Sequence, residues 1–236
     1  MITRRQFIQT STLALLLIKF PDLSAEESLQ AEGYDDFFSL NIPTLEQLGN
    51  QHPKPEKVKK AKEILLLAPR DKGLVGIFKY FSDLKDKTDD SNEYYNAGWK
   101  NEWNPVIVTF FQETSTKPSG DETPWCAASL CWCLKETGYK HPKNASSSSF
   151  RKWGSATKIP SEGDIVVFGS RDKKKYNEGK GHVGVFLKEE NGKILVLGGN
   201  QITKHKHHVV NEKWIPKDDP NWPLKFHSYR SLSSLA

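Results

Sequence analysis

The first half of the chain carries apolar residues at helical spacing. Between residues 56 and 67 four apolar residues fall on one face of a helix, which predicts an amphipathic helix that Pro69 ends. They are Val58, Ala61, Ile64 and Leu65. Similar patterns predict helices over residues 74–84 and 104–111, the second opened by Asn104-Pro105, and a short helical piece over residues 44–48.

After residue 160 the pattern changes to short β-rich runs separated by Gly, Asn and Lys. The runs cover residues 163–168, 182–187 and 193–197, with two weaker candidates at 209–210 and 225–229. Helices that precede strands in this way are typical of an α+β domain, with the helices packed on a small antiparallel sheet. We expect the compact domain to span residues 91–236, preceded by a helical lead-in of unassigned role over residues 26–90.

The N-terminus has a pattern of its own. Paired arginines, Arg4 and Arg5, precede a short apolar run over residues 13–18 and the small residues at 24–25. This arrangement resembles a twin-arginine export leader, so we expect residues 1–25 to be removed and the protein to be periplasmic or cell-wall associated. The apolar run is too short to span a bilayer, which predicts no membrane anchor after cleavage. An ordinary amphipathic N-terminal helix is the alternative.

Composition narrows the classes of partner. With 36% hydrophobic residues the chain is typical of a globular protein, and its net charge of +5 is spread too evenly to indicate nucleic-acid binding. No phosphate-binding glycine loop or dinucleotide motif occurs, so no cofactor is predicted. Three histidines near residue 206 lack carboxylate or cysteine partners at matching spacing, which argues against a metal site. We expect a monomer.

All three cysteines lie within eight residues of the stretch DETPWCAASLCWCLKETGY, residues 121–139. Thr123 and Pro124 are typical of a helix cap and first turn, which places Cys126 at the start of a helix. There the free backbone N–H groups favour an anion and are expected to lower the pKa of the thiol. Cys131 and Cys133 fall on other faces of the helix and are predicted to be buried core residues. Burial in the core is also an open alternative for Cys126.

A reactive thiol needs an imidazole partner and a polar group that orients the imidazole. His182 begins a predicted strand, and glycines at 181 and 184 leave room for another element to approach it. Asn200 ends the following strand and is the candidate orienting residue. Alternatively, His182 is a surface histidine at a strand end and Asn200 a turn residue after two glycines.

Five sequence blocks occur in a characteristic order: NPVIVTFF at 104–111, DETPWCAA at 121–128, GDIVVF at 163–168, GHVG at 181–184 and VLGGNQ at 196–201. Together they resemble the CHAP-type (cysteine, histidine-dependent amidohydrolase/peptidase) cell-wall hydrolases of the papain-like superfamily. The resemblance spans about residues 92–203 and implies a papain-like core. It also implies Cys126 as nucleophile, His182 as base and Asn200 as orienting residue. Gly198 is a departure, because many CHAP domains have a glutamate two residues before the asparagine.

The resemblance implies that the substrate is peptidoglycan or its peptide fragments. The bond cleaved would be the N-acetylmuramoyl-L-alanine amide or an amide within the stem peptide, through a cysteine thioester. Trp125 and Gln201 are predicted to bind substrate, although aromatic core packing is the alternative for Trp125. Two other functions stay open: a non-catalytic wall-binding protein on the same scaffold, and a cysteine peptidase or amidase with substrates outside the wall.

Overall fold

The computed structural model describes residues 51–88 and 92–236, and the helices predicted within these ranges are present with ends shifted by one or two residues. The predicted leader over residues 1–25 and the helical piece over residues 44–48 lie outside the described residues. The α-helices are α1 (Pro55–Leu66), α2 (Gly73–Asp83), α3 (Pro105–Phe110), α4 (Cys126–Glu136) and α5 (Lys173–Asn177).

The strands form an antiparallel sheet in the order β1-β6-β2-β3-β4-β5. This arrangement confirms the predicted α+β class. The strands are β1 (Ala156–Thr157), β2 (Ile165–Ser170), β3 (Gly181–Glu190), β4 (Lys193–Ile202), β5 (His208–Pro216) and β6 (Leu224–Arg230).

Helix α4 is the centre of the main hydrophobic core. Its middle residues, from Ala127 to Leu134, are almost entirely buried, and the same cluster contains the buried side chains of α1, α2 and α3. Val167, Val183 and Leu197 contribute to this core from the sheet. Each fully buried side chain of this size stabilises the fold by about 1.5–3 kcal/mol, so α4 is held rigidly against the sheet.

The opposite face of the sheet carries a smaller cluster, formed by Val166, Phe168, Val196 and Ile215 with Trp222 at its edge. Side chains alternate between the faces along each strand, so residues of β3, β4 and β5 supply both clusters. Among the described residues, none of the helices combines the length and the apolar character that crossing a membrane requires.

A buried polar network fixes the chain ahead of α4. The side chain of Asn104 caps α3 by accepting a hydrogen bond from Val106 N at 2.9 Å. The carboxylate of Asp121 accepts hydrogen bonds from the backbone N–H of Trp99 and of Asn104, at 2.9 and 2.7 Å. Because buried hydrogen bonds to a charged group are costly to break, this network holds the segment that leads into Cys126.

Candidate active site

Cys126 is the first residue of α4, as the sequence predicts. The expected capping by Thr123 is wrong, because its hydroxyl oxygen accepts from Ser119 N at 2.7 Å and the N-cap residue is Trp125, without a side-chain cap. The helix is instead secured within its first turn, where the Ser129 hydroxyl donates to the Cys126 carbonyl at 2.9 Å. The backbone N–H groups at this end therefore stay available to the thiol.

The surroundings of the Cys126 thiol act in opposite directions on its pKa. Burial raises the pKa, while hydrogen bonds from the backbone N–H groups of Val183, Ala127 and Cys126 itself lower it. Burial is the larger effect and the pKa is raised overall. The lowered pKa expected from the helix start is therefore wrong in this structure, because the helix-end donors only partly offset the loss of solvent.

Cys131 and Cys133 are fully buried free thiols in the main core. Burial raises the pKa of Cys131 to about 12 and that of Cys133 well above its usual value. The burial of both residues matches the prediction that they are core side chains.

Glycines allow α4 to approach the sheet at the point where β3 and β4 separate. The pairing of these strands runs from the hairpin only as far as Val185 and Leu197. A Cβ atom on Gly199 would lie 2.4 Å from Ser129 Oγ and 2.5 Å from a ring carbon of Trp125. Only a residue without a side chain fits there, so Gly199 sets the distance between the nucleophile helix and β4.

His182 is buried on β3, with 7% of its surface exposed. Its Nε2 atom lies in the interior with no hydrogen-bond partner among the described residues, and a Cβ atom on Gly198 would be 3.9 Å from it. Burial, followed by the positive charge of Lys213, lowers the pKa of His182 to about 4, while the side chain of Gln201 acts to raise it. The imidazole is thus neutral at neutral pH, and Nε2 faces the position where many CHAP domains have a glutamate.

Asn200 lines the same cleft as His182, but none of the hydrogen bonds among the described residues joins the two. It occupies an irregularity of β4 with a φ of 59°, and its Oδ1 pairs with Nδ1 of His208 at 2.6 Å. The prediction that it orients the imidazole has no supporting contact here. A left-handed residue in a bulge turns its side chain away from the regular strand direction, which accounts for the difference.

Gln201 is the amide that lies at the imidazole. It is 3% exposed, and its Nε2 donates to three backbone carbonyls, those of Val196, Gly198 and Asn211. These bonds fix which end of the amide is the oxygen, and Oε1 is buried with no hydrogen-bond partner among the described residues. The interaction with His182 is nevertheless close enough to raise the pKa of the imidazole. The amide nitrogen of Gln201 is therefore engaged by the protein, although the residue also lines the cleft of Cys126 and His182, so its contact with substrate stays a prediction.

Trp125 is completely buried and packs against Phe110, with ring centroids 6.4 Å apart. The prediction that it binds substrate is wrong, because no face of the indole ring is open to a ligand. Its role is the alternative considered from the sequence, core packing.

Cys126 and His182 both line a cleft of about 640 Å³. The cleft is lined by both polar and apolar side chains, and Lys213 of β5 lies in its wall. The polar lining residues include Asn144, Ser146, Ser147, Glu178 and Lys180, and the apolar ones include Ile215, Trp222, Pro223 and Leu224. Sequence analysis missed Lys213, because it lies far from every motif and the pairing of β5 with β4 brings it to the site.

The cleft therefore brings together a helix-start cysteine and a strand histidine from separate blocks of the sequence. Residues 118–200 match the family model of the CHAP domain. The match covers about a third of the 236 residues and includes Cys126, His182 and Asn200, while Gln201 and Lys213 lie beyond its end. The CHAP match confirms the resemblance and indicates a hydrolase of the cell-wall amidase or peptidase type. Comparisons with curated proteins and with solved structures gave no significant match.

Proposed function

We propose that this protein hydrolyses an amide bond of peptidoglycan by covalent catalysis, with Cys126 as nucleophile and His182 as general base. The observation that carries the proposal is the shared cleft, in which a thiol held at a helix start lies beside the strand that bears a buried imidazole. The CHAP match supports the class of reaction.

The reaction begins with a neutral pair. Because the pKa of the thiol is raised and that of His182 is lowered to about 4, both groups are uncharged at neutral pH. His182 takes the thiol proton as sulfur attacks the carbonyl carbon, and it gives that proton to the leaving amine as the C–N bond breaks. Water, activated by the same imidazole, then attacks the thioester, which releases the carboxylic acid and restores the thiol.

Backbone donors stabilise the negative charge that develops in this reaction. The N–H groups of Cys126 and Ala127 at the start of α4, together with that of Val183, already lower the pKa of the thiol. Donors fixed in this way favour a thiolate and an oxyanion without further reorganisation. None of the hydrogen bonds among the described residues joins Cys126 Sγ to His182, and such bonds commonly form only when the substrate is bound.

Gln201 acts in this scheme as the positioning residue for His182. Its amide group is held by three backbone carbonyls, so Oε1 is fixed as an acceptor near the imidazole. In this arrangement Nε2 of His182 carries the proton and points it toward Oε1 of Gln201. Nδ1 of His182 then keeps the lone pair that accepts the thiol proton. A neutral amide performs the orienting part of the role that a glutamate would have, without adding negative charge.

The predicted export leader indicates the cellular compartment in which the protein acts. The paired arginines Arg4 and Arg5 before a short apolar run support export by a twin-arginine route, so we place the protein in the periplasm or at the cell wall. Replacing both arginines by lysine should leave the protein in the cytoplasmic fraction. Normal export of that variant would contradict this assignment.

Digestion of purified sacculi tests the proposed activity. The wild-type protein should release peptides, and mass spectrometry of the new amino ends would identify the bond cleaved. Cys126→Ala should release nothing, whereas Cys131→Ala, which removes a buried thiol outside the cleft, should keep its activity if it folds. No release by the wild-type protein would refute the wall substrate and favour the non-catalytic alternative.

A further inference from the structure

Lys213 is a half-buried cation in the wall of the cleft that also contains Cys126 and His182. Its ammonium group donates one hydrogen bond, to the carbonyl oxygen of Ile202 at 2.6 Å, and lies 5.8 Å from the centre of the Trp222 ring. None of the ion pairs found in residues 51–88 and 92–236 includes Lys213. It is therefore a cation without a carboxylate partner in the described part of the chain.

The electrostatic surroundings of Lys213 favour an anion. Burial lowers its own pKa, and its positive charge lowers the pKa of His182 and of His208. The other lysine of the cleft, Lys180, differs because it pairs with Glu178 at 3.3 Å. A lysine ammonium group has three N–H donors, so two remain beyond the bond to Ile202. A partly desolvated ammonium group is stabilised most by a negatively charged hydrogen-bond acceptor.

We propose that Lys213 binds a free carboxylate of the substrate next to the scissile amide, so that the substrate class is an acidic peptide. This inference rests on the proposed hydrolase function and narrows it. The carboxylate would lie in the cleft near Trp222, whose ring centre is 5.8 Å from the ammonium group, and the apolar lining residues Ile215 and Leu224 would limit the access of bulk water to the cleft. Its negative charge would offset the ammonium charge near His182, so that binding the correct substrate also makes the imidazole a stronger base.

Peptides that differ by one carboxylate test this inference. The probes are a stem tetrapeptide, L-Ala-γ-D-Glu-L-Lys-D-Ala, and two versions in which either the glutamyl α-carboxylate or the C-terminal carboxylate is replaced by an amide. One of the two amide substitutions should lower kcat/KM of the wild-type protein by about tenfold or more, because it removes a charge-assisted hydrogen bond to Lys213. The two amides distinguish which carboxylate is recognised.

The ratio of kcat/KM for the acid peptide to kcat/KM for its amide is then measured in three variants. In Lys213→Met the ratio should fall to near one, and in Lys213→Arg it should be largely retained because the positive charge remains. Lys180→Met is the matched control, since it removes a cleft lysine that already has a partner, and it should keep the wild-type ratio. Circular dichroism and thermal melting would identify a variant that fails to fold.

Two results would overturn the inference: a wild-type protein that does not distinguish the acid from either amide, or a preference that persists in Lys213→Met. If the wild-type protein cleaves none of the peptides, the proposed hydrolase activity fails for this substrate. Calorimetric binding of the same peptides to Cys126→Ala still tests Lys213. There the acid should bind about tenfold more tightly than its amide, and Lys213→Met in the same background should remove the difference.

Discussion

The buried imidazole of His182 should make the stability of the protein depend on pH. Its pKa is lowered from 6.5 to about 4 in the folded protein, whereas the unfolded chain keeps the ordinary value. Between these values the unfolded chain binds more protons, so the free energy of unfolding falls as the pH falls through 6.5 and stops falling below about 4. At about 1.4 kcal/mol per pH unit, the interval corresponds to about 3 kcal/mol, of which about 2 kcal/mol lies between about pH 7 and about pH 4.5.

Urea unfolding, followed by tryptophan fluorescence at these two pH values, measures the effect. His182→Gln removes the titrating group, so its free energy of unfolding should fall by about 2 kcal/mol less than that of the wild-type protein over the same interval. The other buried histidines contribute equally to both proteins and cancel in the comparison. His205→Gln, which replaces an exposed histidine, is the control and should behave like the wild type.

His182→Asn provides a second neutral replacement if the glutamine variant does not fold. A difference below about 0.5 kcal/mol between wild type and both variants would refute the reasoning, because an imidazole that stays in contact with water has no such linkage. It would also remove the basis for a neutral thiol–imidazole pair.

Three further predictions follow from the contacts of the site. Gln201→Glu should raise the pKa of His182 by placing a carboxylate beside the imidazole, so the acidic limb of kcat/KM should move to higher pH, while Gln201→Leu should lower kcat without that movement. Cys126→Ala should lose orders of magnitude in rate at unchanged stability, whereas Cys131→Ala should mainly lose about 1–2 kcal/mol of stability. Equal losses of activity in the two variants at equal stability would contradict the assignment of Cys126 as the nucleophile. Gly199→Ala should lower the free energy of unfolding by about 1–3 kcal/mol and reduce activity, because the added methyl group would push α4 away from the sheet. An unchanged melting temperature and rate would disprove the close approach of α4 to Gly199.

The periodicity of apolar residues was enough to predict the main helices and strands, but not the short elements α5 and β1. Each amphipathic stretch has one face that must leave water, and the spacing of that face differs between helix and strand. The start of the helix at Cys126 was predicted from Thr123 and Pro124, but both residues lie before the N-cap Trp125, so the position was right although the capping was not. The two core cysteines followed from their angular positions on the helix.

The environment of the site was decided by tertiary packing. The sequence shows that Cys126 is at a helix start, but burial against the sheet reverses the direction of its pKa. The irregularity in β4 directs Asn200 toward His208 and brings Gln201 to His182, a choice between adjacent residues that spacing alone does not make. Lys213 reaches the cleft only because β5 pairs with β4.

The sequence by itself thus determined the α+β class, the order of the elements and the two residues that carry the proposed chemistry, because these depend on local periodicity and on short motifs. The tertiary structure alone decided the protonation of the thiol and imidazole, the amide that lies near the imidazole, and the place of Lys213 in the cleft without a carboxylate partner among residues 51–88 and 92–236. These properties depend on which atoms lose contact with water and on charges from strands distant in the chain, and neither is encoded in local spacing.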